Sequence, residues 1–177
     1  RYQIKYGFYF IYAFVSLIYF VLLHFIPLEY KNIVATFILV SDPAALGFVF
    51  IGGIWLLEKS EGIHLFLSTS PLKAIEYVSA KAMSLAIIST LSALLISLFG
   101  LPLTIIFWQL ALGIFICSLF FTLFGLFIAT FARSVNHYML IVIIPSLLFA
   151  LPLILVFLGY DFFILELFPT TAIWRVI

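Results

Sequence analysis

The chain is 177 residues long, 67% hydrophobic and 8% charged, with 22 Phe and a net charge of +1. A water-soluble globular domain carries about 25% charged residues, so the composition excludes one, and a near-neutral balance offers no basic surface to nucleic acid. The single cysteine, Cys117, excludes a disulfide framework and a cysteine-based metal site; as a small apolar side chain it suits the membrane interior.

Apolar runs of the roughly 20 residues that a bilayer requires lie at residues 8–26, 34–57, 78–99, 104–131 and 139–158. They are apolar on all sides rather than alternating, which specifies helices and not barrel strands. The expected fold is therefore all-α: a polytopic transmembrane helical bundle of five spans, forming one domain over residues 1–177. The chain opens at Arg1 rather than Met and closes at Ile177 in an apolar stretch, so truncation at both ends and a sixth span beyond Ile177 are expected. With five spans, Arg1, Lys5, Lys59, Lys73, Lys81 and Arg133 fall on one side and only Lys31 and Arg175 on the other. The positive-inside rule makes the first side cytoplasmic, N-terminus included.

In chain order, the first polar feature within a span is Ser41-Asp42-Pro43. Asp42 admits two readings. An acid inside a span is costly to bury and by default marks a transport path; alternatively these three residues cap and start a helix, with residues 34–40 a separate surface or re-entrant segment.

The longest polar interruption is L-L-E-K-S-E-G-I-H-L-F-L-S-T-S-P-L-K-A-I-E-Y-V-S-A-K, residues 56–81. Glu58, Lys59, Ser60 and Glu61 leave the membrane, and Gly62 supplies the backbone freedom to turn. Ile63, Phe66 and Leu67 recur at helical spacing and give a short helix an apolar face. Ser70 reads as the N-cap and Pro71 as the first position of the next helix, which carries Lys73, Glu76 and Lys81 into the third span. Acidic and basic residues balance here, whereas helices resting on lipid headgroups favour Lys and Arg; a protein-docking surface fits better. Glu61 and His64 have ligand spacing, but the pair occurs once and straddles Gly62, so no metal is expected.

Further along, Ala82, Ala86 and Thr90, and likewise Ser89, Ala93 and Ser97, repeat every four residues, the pattern of a close helix-packing seam. His24 and His137 fall on opposite sides and cannot share a site. Pro145 and Pro152 are seven apart on one face of the fifth span, where they would kink it.

The run E-K-S-E-G-I-H-L-F-L-S-T-S-P-L followed by E-Y-V-S-A-K resembles the coupling-helix segment of type-2 ABC transporter permeases. S-D-P-A-A-L-G-F-V-F-I-G-G before it, V-N-H-Y-M-L after the fourth span and F-P-T-T-A near the end resemble the bacterial branch of fluoroquinolone or multidrug export permeases. The resemblance implies a membrane subunit, not an enzyme, in a bacterial cytoplasmic membrane, pairing with a second permease subunit and with two copies of an ABC ATPase. ATP and Mg would sit on that ATPase, because this chain has no G-x-x-x-x-G-K-[ST] phosphate loop and no cofactor of its own is implied. ATPase contact then falls to Glu58, Lys59, Glu61, Gly62, Ile63, His64, Phe66, Leu67, Ser70 and Pro71; Asp42, Pro43, Ser89, Ala93, Ser97, Pro145 and Pro152 are candidates for translocation or packing. Ile63 stands where the family commonly has Thr, and Phe66 near a common acidic position, which makes the docking face more apolar than usual. The alternative is a secondary transporter or channel without an ATPase; a membrane-embedded enzyme lacks convergent catalytic groups at one depth.

Overall fold

The structure, a computed structural model, describes residues 8–63, 73–100, 107–160 and 162–176. Its helices are α1 (Phe8–Phe25), α2 (Leu28–Ala45), a π-helical turn (Leu46–Phe50), α3 (Ile51–Ser60), α4 (Ala74–Gly100), α5 (Phe107–Phe131), α6 (Val135–Phe157), a 3-10 turn (Phe163–Leu167) and α7 (Pro169–Val176). Among the described residues there is no strand. Four helical stretches, Glu29–Ser60, Ala74–Leu98, Phe107–Phe131 and Val135–Phe157, are long and apolar enough to cross a membrane, and α1 adds a shorter apolar helix. The chain is a multi-pass membrane protein.

Hydrophobicity alone cannot orient such helices, because lipid tails are as apolar as Leu; residue size does so instead. On α5 the large residues Trp108, Leu112, Ile116, Leu123, Phe127 and Phe131 are exposed. Cys117, Ser118, Thr122, Gly125 and Ala129 are buried on the opposite face. On α4 the same division puts Met83, Ile87, Leu91, Leu95 and Leu98 outside and Ala82, Ala86, Ser89, Ala93 and Ser97 inside. These two small-residue faces make the most extensive helix pairing in the bundle. A hydroxyl pair, Ser16 Oγ and Ser92 Oγ at 2.7 Å, ties α1 to α4.

The second span departs from one of its two sequence readings. Residues 34–40 are not a separate segment and Ser41-Asp42-Pro43 does not start a helix: α2 runs from Leu28 through all three, and with the π turn and α3 forms one rod. The reason is the solvent. A break would leave backbone groups unsatisfied in lipid, whereas a proline inside a spanning helix is tolerated when hydroxyls and local π adjustments absorb it. Ser41 Oγ accordingly donates back to the Phe37 carbonyl at 2.6 Å, and the π turn follows three residues after Pro43. Likewise α6 stays helical through Pro145 and Pro152.

At the far end of the rod, Gly62 has φ +71°, the left-handed conformation that ends a helix at least cost in glycine. The helix that carries Lys81 into the third span starts later than its sequence suggests. Pro71 lies outside the described residues, but Lys73 is not helical and α4 starts at Ala74. Glu76 supplies the start signal, its carboxylate accepting the Lys73 backbone N–H at 3.2 Å, one half of a capping box.

The rod crosses α5 at glycine. A Cβ on Gly125 would collide with the Gly47 carbonyl, and one on Gly47 with Phe121, whereas a Cβ on Gly53 would meet nothing. Overpacking such a contact costs about 1–3 kcal/mol. Gly125→Ala is therefore expected to lower the detergent melting temperature measurably, while Gly53→Ala leaves it unchanged; equal melting of the two variants would contradict the glycine crossing.

Candidate functional site around the π turn

A π turn widens the helix by one residue and misaligns its carbonyls with the usual donors. Here the Phe48 carbonyl accepts the buried Tyr138 hydroxyl of α6, and the same oxygen of Tyr138 lies 3.4 Å from the Gly125 carbonyl. Tyr138 is fully buried, and its ring occupies the space that a side chain at Gly52 would need. Ser134 holds the start of α6 in place by accepting the His137 backbone N–H at 3.2 Å. One tyrosine thus links the rod, α5 and α6 at the point where helical hydrogen bonding is irregular.

Beside this junction lies a cavity of about 440 Å³ between the rod and α6, with Ser41, Phe48, Met139, Ser146, Phe149 and Thr170 among its lining residues. Among the described residues that line it, none is charged. Its hydroxyls are already committed as donors: Ser41 to Phe37 O, Ser146 to Ile143 O at 2.7 Å and Thr170 to Phe149 O at 3.0 Å. What they still offer is acceptor capacity. Phe48, Phe121, Phe124 and Phe149 pack against one another in tilted or edge-to-face pairs, so one wall is aromatic and dense. The three stretches S-D-P-A-A-L-G-F-V-F-I-G-G, V-N-H-Y-M-L and F-P-T-T-A, far apart in sequence, meet here through Phe48, Tyr138 and Met139, and Thr170.

A second polar constellation sits at the Gly62 end. Glu58, on the last turn of α3, accepts from Lys81 Nζ and from the Tyr77 hydroxyl, both on α4. Only 3% of Glu58 and 7% of Lys81 is exposed. The Lys81 ammonium also lies 4.6 Å from the Tyr77 ring centroid.

Comparison with known proteins gives two relatives, the fluoroquinolones export permease proteins of Mycobacterium tuberculosis strains CDC 1551 and H37Rv. Each is 29% identical over 140 residues, covering 79% of this chain and 59% of the relative. The chain is similar to these two export permease proteins. It spans 59% of the length of the relatives it matches. No family model and no solved structure matches.

Against that background the residues singled out in the sequence divide clearly. Ser89, Ala93 and Ser97 are buried on α4, and Ser97 donates to the Leu94 carbonyl at 2.8 Å. Asp42 is buried but does not line the cavity, and Pro145 and Pro152 lie on α6 next to the lining residues Ser146 and Leu153. Lys59 and Glu61 are exposed and Gly62 and Ile63 half-buried, while His64, Phe66, Leu67, Ser70 and Pro71 lie outside the described residues. Glu58 differs from its expected role: it is turned into the bundle toward Lys81 and is not a surface residue. No group of three or more His, Cys, Asp or Glu placed to hold a metal occurs among the described residues.

Sequence reasoning missed Tyr138, Gly47, Gly52, Gly125 and Tyr77 as positioning residues. The available signal was that Tyr138 sits inside V-N-H-Y-M-L and Gly47 and Gly52 inside the earlier quoted stretch. Leaving a buried acceptor without its donor costs about 1–3 kcal/mol. Tyr138→Phe, which keeps the ring, is therefore expected to destabilise the purified protein by that amount in denaturant titration, and an unchanged midpoint would mean that the Phe48 carbonyl does not depend on it.

Proposed function

We propose that this chain is the membrane-spanning subunit of an ATP-driven exporter, with the cavity beside the π turn on its substrate path and residues 59–71 facing a separate ATPase. The observation that carries the reading is the convergence of three distant stretches, each resembling export permeases, on one cavity whose described lining is uncharged. A wall of Phe with acceptor-only hydroxyls suits a molecule with an apolar, often aromatic body that brings its own hydrogen-bond donor. That describes a drug-like or lipid-like amphipathic substrate, and the printed name of the Mycobacterium relatives, which refers to fluoroquinolones, is compatible with it. An ion-coupled secondary transporter would rest on Asp42, which is absent from the cavity lining.

In this reading the Lys59 and Lys73 side of the bundle is cytoplasmic, a second permease subunit completes the pathway, and two ATPase copies carry ATP and Mg. These 177 residues hold no phosphate loop, and in this reading the separate ATPase supplies the energy. Phe66 belongs to the apolar face offered to the ATPase, and an aspartate there would bury an unpaired carboxylate on docking.

The test uses the full-length protein co-expressed with the phosphate-loop ATPase that this reading requires. Phe66→Asp is expected to reach the membrane at normal abundance yet lose the ATPase on purification, its affinity reduced about 100-fold or more. Ser146→Trp, which fills the cavity, is expected to keep the ATPase and abolish export. Retention of the ATPase and of export in Phe66→Asp would remove the coupling role from residues 59–71, and normal export by Ser146→Trp would take the cavity off the path.

A further inference from the structure

Helix α3 ends at Ser60 and α4 begins at Ala74, and these two helix ends are joined by charge. We infer that Glu58, Lys81 and Tyr77 form a latch that makes the ends of α3 and α4 move as one body, so that any force on the residues between them reaches both spans together. This rests on the reading of residues 59–71 as the ATPase-facing segment.

Three observations support a positioning role over a merely stabilising one. First, both donors converge on one carboxylate oxygen, Glu58 Oε2, from two successive turns of α4. That geometry specifies a single axial register between the helices, which an apolar pair would leave free to slide. Second, the pair is buried, and a buried ion pair contributes little net stability compared with apolar side chains of similar volume. Stability is therefore a poor explanation for its presence, whereas register is the best-attested use of such a group. Third, the latch stands on an apolar floor of Ile51, Leu85 and Leu126 with Trp55 and Val78 packed around it, and the Trp55 and Tyr77 rings lie 6.0 Å apart. The charges are thus shielded from water, which strengthens their mutual attraction. By contrast Lys59, Glu61, Lys73 and Glu76 on the same excursion are exposed, so the chain separates charges that hold the helices from charges that meet the surroundings.

The proposal is tested by the double variant Glu58→Leu/Lys81→Met, which replaces the ion pair by apolar side chains and strands neither charge. In the full-length permease, spin labels at exposed Lys59 and Lys73 are expected to give one narrow distance in the native background and a broadened distribution in the double variant. With the ATPase present, the double variant should keep the partner and hydrolyse ATP, while substrate exported per ATP falls about tenfold, within the range of coupling energies between sites. The exchanged pair Glu58→Lys/Lys81→Glu should recover part of that loss. A double variant with the native distance distribution, or with native export per ATP, overturns the latch. The distance measurement needs no ATPase, so a native protein that retains no ATPase would defeat the proposed function while the latch is still decided by the labels.

Discussion

The organisation of this bundle depends on one constraint, that a backbone carbonyl displaced from helical register inside lipid must find its donor within the protein. The π turn interrupts the regular hydrogen-bond ladder in the second span, and there the Tyr138 hydroxyl donates to the Phe48 carbonyl. Everything nearby follows from the demands of that contact. The tyrosine ring needs a gap in the rod, which Gly52 leaves; the rod needs to lie against α5, which Gly47 and Gly125 allow; and α6 has to begin where Ser134 caps it, so that Tyr138 faces inward. The cavity opens where the rod and α6, joined through Tyr138, diverge.

The spans were legible in the sequence because length and hydrophobicity act locally. Gly62 was legible too, since a charged run ending in glycine after an apolar helix leaves few alternatives, and its positive φ is what that reading requires. Ser41-Asp42-Pro43 was harder. In water these residues start a helix, because the solvent accepts whatever hydrogen bonds a new start leaves open; in lipid the same residues are carried within one. A string of letters does not state its solvent at each depth, and the apolar run before Ser41 was short enough to be read as a separate piece.

The long-range contacts were illegible for another reason. Tyr138 and Phe48 are 90 residues apart, and no spacing rule connects positions on different spans. Lys81 and Glu58 are 23 apart and flank one excursion of the chain, so their depths could have been compared. Counting both as loop charges obscured the pairing, because charge by itself suggests water and burial with a partner is the exception. Small residues on α4 and α5 were readable as packing faces for the opposite reason: in a membrane, size marks the inside as reliably as hydrophobicity does in water.

The Gly47–Gly125 crossing has a mechanical consequence. Two helices touching backbone to backbone cannot slide past each other without forcing α-carbons together, but either can tilt about the point of closest approach. The crossing is therefore a fulcrum with unequal arms. At about 1.5 Å per residue, roughly 16 Å of rod lies between Gly47 and Glu58 and roughly 28 Å between Gly47 and Leu28. Each degree of rigid tilt moves the Glu58 end by about 0.3 Å and the Leu28 end by about 0.5 Å in the opposite sense. A small push where α3 meets α4 becomes a larger, reversed displacement at the far membrane surface, with Phe48 and Phe121 staying almost still beside the pivot.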